Sequence, residues 1–340
     1  LGGADKNLLE RKGFKVNLIP MQRGGINIFK ELKTFFYIWK FFKREKPDIV
    51  HLVTIKPYLY GGIISRLTFV PAVISAISGL GTLFIQKDVK SKFLRLILNP
   101  FFKLALNHFN QKVIVQNKDD MNILVKMGVL NPNKVKLIKG SGVKIKNFTI
   151  LDEPKGTPLV CFAARLLKDK GVYEFISAAR LLKRRGIKAR FCLAGDLDLN
   201  NPSGLSHNDI NNIKNEGYVE ILGYQKNIPK LYAESHIICL PSYREGMPKS
   251  LIEAAAASRA VVTTDVSGCR DAVISNITGL LVPVKNSQKL ADALEWLINN
   301  PQERIAMGKA GRKLAEKEFP IEKIVKSHLE VYDELIRKIK

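Results

Sequence analysis

Two successive sets of short apolar runs, separated by stretches with helical periodicity, constrain the fold of this chain most strongly. Strands that alternate with helices predict a parallel sheet with helices on both faces. The first set predicts strands at residues 14–20, 48–53, 71–78, 111–116 and 134–139. The second set predicts strands at residues 159–164, 189–194, 219–222, 236–240, 260–264 and 279–282. We therefore expect an α/β fold of two Rossmann-like domains that face a central cleft, for which 340 residues suffice.

A polar segment at 143–158, which contains Pro154, Gly156 and Pro158, separates the two sets. It predicts an N-terminal domain at residues 1–150, a C-terminal domain at 151–320 and a C-terminal helix at 321–340. In the first domain, helices are predicted at residues 28–45, 59–67, 89–106 and 119–127. In the remainder, helices are predicted at residues 172–185, 208–215, 228–234, 248–257, 270–274, 288–299, 302–318 and 321–339.

Positive charge is concentrated in the first half of the chain, since residues 1–150 hold 26 Lys and Arg against 8 Asp and Glu. The whole chain carries a net charge of +24. Aromatic side chains are interleaved with these cations at residues 29–44 and 92–112. Such segments suit a helix on an anionic membrane surface or a groove for single-stranded nucleic acid. No nucleic-acid recognition motif is present, so we predict contact with an anionic membrane and none with nucleic acid.

The four cysteines indicate a reducing compartment. Cys161, Cys192 and Cys239 lie in apolar strand patterns, and no pair has the spacing of metal ligands. No apolar run reaches the roughly 18 residues needed to span a bilayer, and no signal peptide is visible. We expect a cytoplasmic protein, peripheral on the inner face of the cell membrane.

The segment at 236–257 predicts a ligand site, because a buried strand, a tight loop and a helix N-terminus follow one another there. Backbone N–H groups at such a helix end can hold an anion or sugar hydroxyls. Glu245 lies in the loop and Glu253 on the apolar helix, where a buried carboxylate could bind ribose hydroxyls. The alternative is that Glu245 is a solvated loop residue and that Glu253 pairs with Lys249 one turn earlier.

Two cations follow the first strand of the second set. Arg165 and Lys170 flank a helix start and could neutralise the charge that develops on a diphosphate leaving group. The alternative is a solvated basic loop. Asp196 and Asp198 have the spacing of a two-carboxylate metal motif. A long polar loop follows them, however, and no neighbouring strand would hold both carboxylates in place for a metal ion, so we predict no metal site there.

The sequence Glu245-Gly-Met-Pro-Lys-Ser-Leu-Ile-Glu253 resembles the E-x7-E motif of the retaining glycosyltransferases of the family-4 type, which have the GT-B fold. Arg165 and Lys170 match that family's pyrophosphate-binding pair. The resemblance implies catalytic roles for Glu245, Arg165 and Lys170, transfer with retention, and no cofactor or metal. The donor site that it implies comprises Arg165, Lys170, Glu245, Gly246, Met247, Pro248, Ser250 and Glu253.

The resemblance also indicates the substrates. The sequence Gly79-Leu-Gly81-Thr82 is similar to the subgroup that builds lipid-linked bacterial oligosaccharides, O-antigens and capsules. We therefore expect a UDP-sugar donor and a saccharide on polyprenyl diphosphate as acceptor, bound by Lys56, Gly79 and Gly81. The family begins one strand earlier and has a histidine near Gly79, and this chain shows neither. Those two departures leave a non-catalytic scaffold of a glycan assembly complex as the alternative.

Overall fold

The computed structural model describes residues 3–21, 27–80 and 89–339 and shows two parallel sheets packed with helices. The α/β fold with two parallel sheets is therefore confirmed. Among the residues that the structure describes, none of the helices is long and apolar enough to cross a bilayer.

The first sheet has the order β1-β2-β3-β4, and all neighbouring strands are parallel. Its strands are β1 (Ile49–Val53), β2 (Ala72–Ile77), β3 (Gln111–Val115) and β4 (Val135–Leu137). The helices described in this half are α1 (Gly3–Arg11), α2 (Ile28–Glu45), α3 (Ile55–Leu67), α4 (Val89–Ala105) and α5 (Lys118–Lys126). Helices α2 and α4 both pack against α3. Buried side chains of α2, α3 and α4, such as Ile38, Ile64 and Phe102, form one core with the sheet.

Two sequence predictions in this half are wrong. Residues 14–20 form no strand, and Phe14 and Leu18 remain 61% and 57% exposed. A strand of a parallel sheet needs cover on both faces, which this segment lacks. Helix α3 begins at Ile55, four residues before the predicted start, because Pro57 falls in its first turn, where a missing N–H is tolerated.

The second sheet has the order β10-β9-β8-β5-β6-β7 and is also fully parallel. Its strands are β5 (Leu159–Ala163), β6 (Arg190–Ala194), β7 (Glu220–Gly223), β8 (Ile237–Leu240), β9 (Ala260–Thr264) and β10 (Gly279–Val282). Its helices are α6 (Val172–Arg184), α7 (His207–Glu216), α8 (Ile228–Ala233), α9 (Lys249–Ala256), α10 (Cys269–Ala272), α11 (Ser287–Asn299) and α12 (Pro301–Glu318). Strands β5, β8 and β9 are buried throughout, which explains the continuous apolar sequences of β5 and β8 and the apolar start of β9.

The chain passes from one half to the other twice, and the two crossing segments lie side by side. The backbone of Val143 bonds to Phe319 and Ile321, with N···O distances of 2.9 and 3.0 Å. The last helix, α13 (Ile321–Ile336), then returns to the first sheet. There Ile324 and Leu335 belong to a core that includes Ile74 of β2. The predicted C-terminal helix thus covers one face of the N-terminal sheet.

Candidate active site

A cavity of about 990 Å³ opens at the carboxyl ends of β5, β6 and β8, which is where ligands bind in sheets of this type. Val143, Lys144, Asn147, Phe148 and Ile321 and residues between 224 and 232 also line it. The sequence-predicted residues that line this cavity are Arg165, Lys170, Glu245, Met247, Pro248, Ser250 and Glu253. Seven of the eight residues that the sequence predicts for the donor site therefore line one cavity.

Lys170 and Glu245 form an ion pair inside this cavity. Lys170 ends a short turn after β5, Glu245 lies in the loop after β8, and Nζ is 2.5 Å from Oε1. Their side chains are 22% and 10% exposed. Glu245 is thus not a solvated loop residue. The pair puts a cation and a carboxylate side by side, and the cation can hold a phosphate while the carboxylate accepts from a sugar hydroxyl.

Arg165 also reaches the cavity but pairs with Asp198, at 2.6 Å between Nη1 and Oδ2. The Arg165 side chain is 56% exposed, so this pair lies in solvent and is weak. A diphosphate that entered the cavity could therefore replace Asp198 as the partner of the guanidinium at a small cost in free energy. The carboxylate of Asp198, one of the two that imitate a metal motif, is occupied by this arginine.

Helix α9 begins at Lys249, and Pro248 is its N-cap residue rather than its first helical residue as predicted. Glu253 faces the cavity one turn later with 14% of its side chain exposed. Burial raises the pKa of the Glu253 carboxyl, and the nearby Lys249 ammonium partly offsets this rise. Lys249 does pair with Glu253, at 3.3 Å, but its own side chain is 63% exposed. The pair foreseen as an alternative is therefore present, and it leaves Glu253 accessible to a ligand.

Gly246 lies against the N-terminal domain. A Cβ atom at this position would be 2.0 Å from the carbonyl oxygen of Ser78, in the loop that follows β2. The Gly246 carbonyl accepts a hydrogen bond from Asn117 Nδ2 at 2.9 Å. We expected this glycine to let the backbone approach a ligand, whereas the close approach in the structure is between the two domains.

A second cavity of about 430 Å³ lies between the domains and shares Glu245 with the first. Its N-terminal side is formed by Ser78, Gly79, Leu80, Asp120 and Ile123. Its C-terminal side is formed by residues 243–246 and 265–267 and by Arg270. Gly79 adopts φ +129°, which favours glycine, and packs on the backbone of Gly246.

Of the other two predicted acceptor residues, Lys56 is not brought to this place. Lys56 lines neither cavity and pairs with Glu31 of α2, at 2.5 Å between Nζ and Oε1. The hydroxyl of Tyr60 donates to the other oxygen of the same carboxylate. Gly81 lies outside the described residues.

Sequence reasoning missed the polar contacts that join the domains beside the second cavity. Arg270 donates to Asp119 of the first domain at 2.7 Å and to Asp265 of its own domain at 2.8 Å. The Ser267 hydroxyl also donates to Asp119. The Asn117 side chain accepts from the Asp120 N–H and so caps helix α5. The sequence gives no sign that this cap faces the other domain.

Comparison with known families and proteins identifies relatives of this chain. The family model described as glycosyl transferases group 1 matches residues 143–314, and one described as glycosyl transferase 4-like matches residues 3–117. A Campylobacter jejuni protein named N,N'-diacetylbacillosaminyl-diphospho-undecaprenol alpha-1,3-N-acetylgalactosaminyltransferase is 30% identical over 96% of this chain and 88% of its own length. An Escherichia coli UDP-Gal:alpha-D-GlcNAc-diphosphoundecaprenol alpha-1,3-galactosyltransferase is 24% identical over 81% of this chain and 73% of its own.

Solved structures show the same fold at lower sequence identity. The Anabaena protein HepE in complex with UDP-glucose has a TM-score of 0.79 at 19% identity and covers 98% of this chain, which spans 90% of HepE. WaaG, a glycosyltransferase involved in lipopolysaccharide biosynthesis, has a TM-score of 0.70 at 13% identity, with 91% and 85% of the chains covered. The fold is GT-B, as predicted from the sequence.

Proposed function

Because the chain belongs to the glycosyl transferases of group 1, we propose that it moves a sugar from a UDP-linked donor to a saccharide on polyprenyl diphosphate. Its relatives carry names with diphospho-undecaprenol-linked sugars as acceptors, and one name specifies UDP-galactose. A role in surface polysaccharide or glycan biosynthesis is part of the same proposal.

The observation that carries this proposal is the ion pair of Lys170 and Glu245, which shares a cavity with Arg165 and Glu253. In the proposed complex, Glu253 accepts from the ribose hydroxyls, and Lys170 and Arg165 stabilise the charge that develops on the leaving diphosphate. Glu245 accepts from a hydroxyl of the donor sugar.

We propose retention of configuration at the anomeric carbon. The acceptor oxygen attacks from the face that the diphosphate leaves, and a phosphate oxygen takes the hydroxyl proton. A carboxylate that is held by an ammonium group is a poorer nucleophile than a free one, so the pairing of Glu245 supports this route over a covalent intermediate. Metal independence is part of the proposal, since two cations already face the phosphate position and Asp198 is engaged by Arg165.

Product stereochemistry tests the reaction. The protein is incubated with a set of UDP-sugars and a short-chain prenyl diphosphate that carries one N-acetylhexosamine, and the new glycosidic bond is analysed by NMR. A retained anomeric configuration is expected, and an inverted one would refute the mechanism.

Nucleotide binding separates an enzyme from a non-catalytic scaffold. UDP at about 100 times its dissociation constant stabilises a protein by about 2.7 kcal/mol, which raises its melting temperature. An unchanged melting temperature with UDP and with every UDP-sugar would favour the scaffold.

We also propose that helices α2 and α4 rest on an anionic membrane surface. Both helices end just before a strand begins, so they run antiparallel to the strands and start at the edge where the cleft opens. The apolar residues in the N-terminal halves of these helices that are more than 60% exposed are Ile28, Phe29, Leu32, Phe36, Val89, Phe93 and Leu96. Exposed cations lie beside them on the same helices. A polyprenyl-linked acceptor is confined to the bilayer, so this surface would bring the cleft to it.

Vesicle binding tests this surface. Changing four exposed cations of α2 to Ser should release the protein from anionic vesicles, because each contributes about 1 kcal/mol near the surface. High salt should weaken the binding of the unchanged protein without abolishing it, because salt does not screen the apolar contribution. The four positions are Lys33, Lys40, Lys43 and Arg44.

A control variant removes the same charge from exposed positions of the other domain. Its positions are Arg184, Lys309, Lys313 and Lys317. This control should stay bound to vesicles, and the α2 variant should keep full activity on the short-chain acceptor. Equal release of both variants would mean that total charge and not this surface drives binding.

A further inference from the structure

We infer that the second cavity binds the sugar of the acceptor and that Asp120 accepts a hydrogen bond from one of its hydroxyl groups. This inference rests on the proposed transferase function and deepens it. The two substrates of a transferase must meet at one reacting carbon, and Glu245 is the residue that the two cavities share. The first cavity holds the diphosphate-binding cations, so the second is the one left for the acceptor.

Asp120 differs from the other carboxylates of this cavity in having no cation. Glu245 pairs with Lys170, and Asp265 pairs with Arg270. Within the described part of the chain, no cation pairs with Asp120, although the residue is only 3% exposed. A buried carboxylate without a cation is costly unless hydrogen-bond donors satisfy its oxygens. Hydroxyl groups of a sugar are donors of the required kind.

One oxygen of Asp120 is already used and the other is available to a ligand. Oδ2 accepts from the Leu80 N–H at 3.2 Å and from Asn117 Nδ2 at 3.0 Å. Among the described residues, no hydrogen bond reaches Oδ1. Burial raises the pKa of Asp120, and the two donors to Oδ2 partly offset the rise.

The position of Asp120 is fixed relative to Glu245. Asp120 is the third residue of helix α5 after its cap, so its side chain stands on a rigid element. The amide nitrogen of Asn117 bridges Asp120 Oδ2 and the carbonyl oxygen of Gly246, which follows Glu245 in the chain. A single side chain thus couples the acceptor side to the loop that carries Glu245.

Asp120→Asn tests the inference, because the amide oxygen can still accept from Leu80 and Asn117 while an NH2 group replaces Oδ1. A hydrogen bond to a charged group typically corresponds to about a tenfold or larger change in affinity. The KM for a short-chain prenyl diphosphate that carries N-acetylglucosamine should rise by about that factor. The shift in melting temperature that UDP causes should not change.

Asp209→Asn is the matched control, since Asp209 occupies the same third position in the capped helix α7 and lines neither cavity. It should leave the acceptor KM unchanged. As a second comparison, the same prenyl diphosphate without a sugar should inhibit the wild type and Asp120→Asn equally. An unchanged acceptor KM in Asp120→Asn, or an equal loss of UDP binding, would overturn the inference.

Failure of the proposed function has a different signature. In that case the wild type transfers no sugar from any UDP-sugar to this acceptor. Acceptor binding measured by saturation-transfer NMR needs no turnover, and weaker binding to Asp120→Asn than to Asp209→Asn would still support the site. Equal binding to the two variants would refute it.

Discussion

Gly246→Ala should force the two domains apart at the loop that carries Glu245. The added Cβ would lie 2.0 Å from the Ser78 carbonyl oxygen, whereas real Cβ atoms essentially never come within 3.0 Å of another atom. The two loops must therefore separate by about 1 Å, and the atom that blocks is backbone, which cannot rotate away. Misplacement of reacting groups by about 1 Å can cost on the order of 10²-fold in rate. We expect kcat/KM to fall by about that factor.

The assay compares kcat/KM with nucleotide binding. The UDP-induced shift in melting temperature should persist in Gly246→Ala, because Glu253 and Arg165 belong to the second domain. Gly311→Ala is the control. Gly311 lies inside helix α12, and a Cβ atom added there would be at an ordinary van der Waals distance of 3.5 Å from Ala255. That change should keep full activity and stabilise the helix by up to about 1 kcal/mol. Wild-type kcat/KM in Gly246→Ala would refute the reasoning about domain contact.

Four further substitutions test the first cavity. Glu253→Gln should weaken UDP binding by about 1–3 kcal/mol, yet raise the melting temperature of the unliganded protein at pH 7. Burial raises the pKa of Glu253, so its ionised form lowers the stability of the folded protein at neutral pH. The difference in melting temperature between Glu253→Gln and the wild type should therefore vanish at a pH below the pKa that Glu253 has in the unfolded chain. Arg165→Ala and Lys170→Ala should each lower kcat by on the order of 10²-fold, while EDTA should leave the wild type active; inactivation by EDTA would contradict this. Glu245→Gln should lower kcat more than UDP affinity, and a wild-type kcat would exclude its role.

The local structure could be predicted where a single segment determines it. Helix α2 starts and ends at the predicted residues, because Asn27 caps its first turn and Lys46 adopts a left-handed conformation at its end. Strands β9 and β10 also match, since each is a short run rich in apolar residues. The cavity residues could be selected because each follows a strand of the second set, and the carboxyl ends of parallel strands meet at one edge.

The contacts between the domains could not be predicted, because they depend on how two folded units fit together. Nothing in the run around Gly246 shows that its neighbour is Ser78, which lies in the other domain. The apolar face of α13 likewise predicts a buried helix and does not say which sheet covers it. The structure packs that face on β2 and β3 of the first sheet, so the two domains are linked twice along the chain.

The loop before α9 has to satisfy both domains at once, and this explains its sequence. Glu245 must reach the first cavity to pair with Lys170 and must also border the second, so the next residue has to pass directly beneath Ser78. Only a residue without a Cβ fits there. The Gly246 carbonyl then accepts from Asn117, whose amide also binds Asp120. Separation of the domains would break this hydrogen bond and move Asp120 away from Glu245. The proposed acceptor contact would then be lost while the proposed donor contacts within the second domain remained, so we expect transfer to require the domain contact that the structure shows.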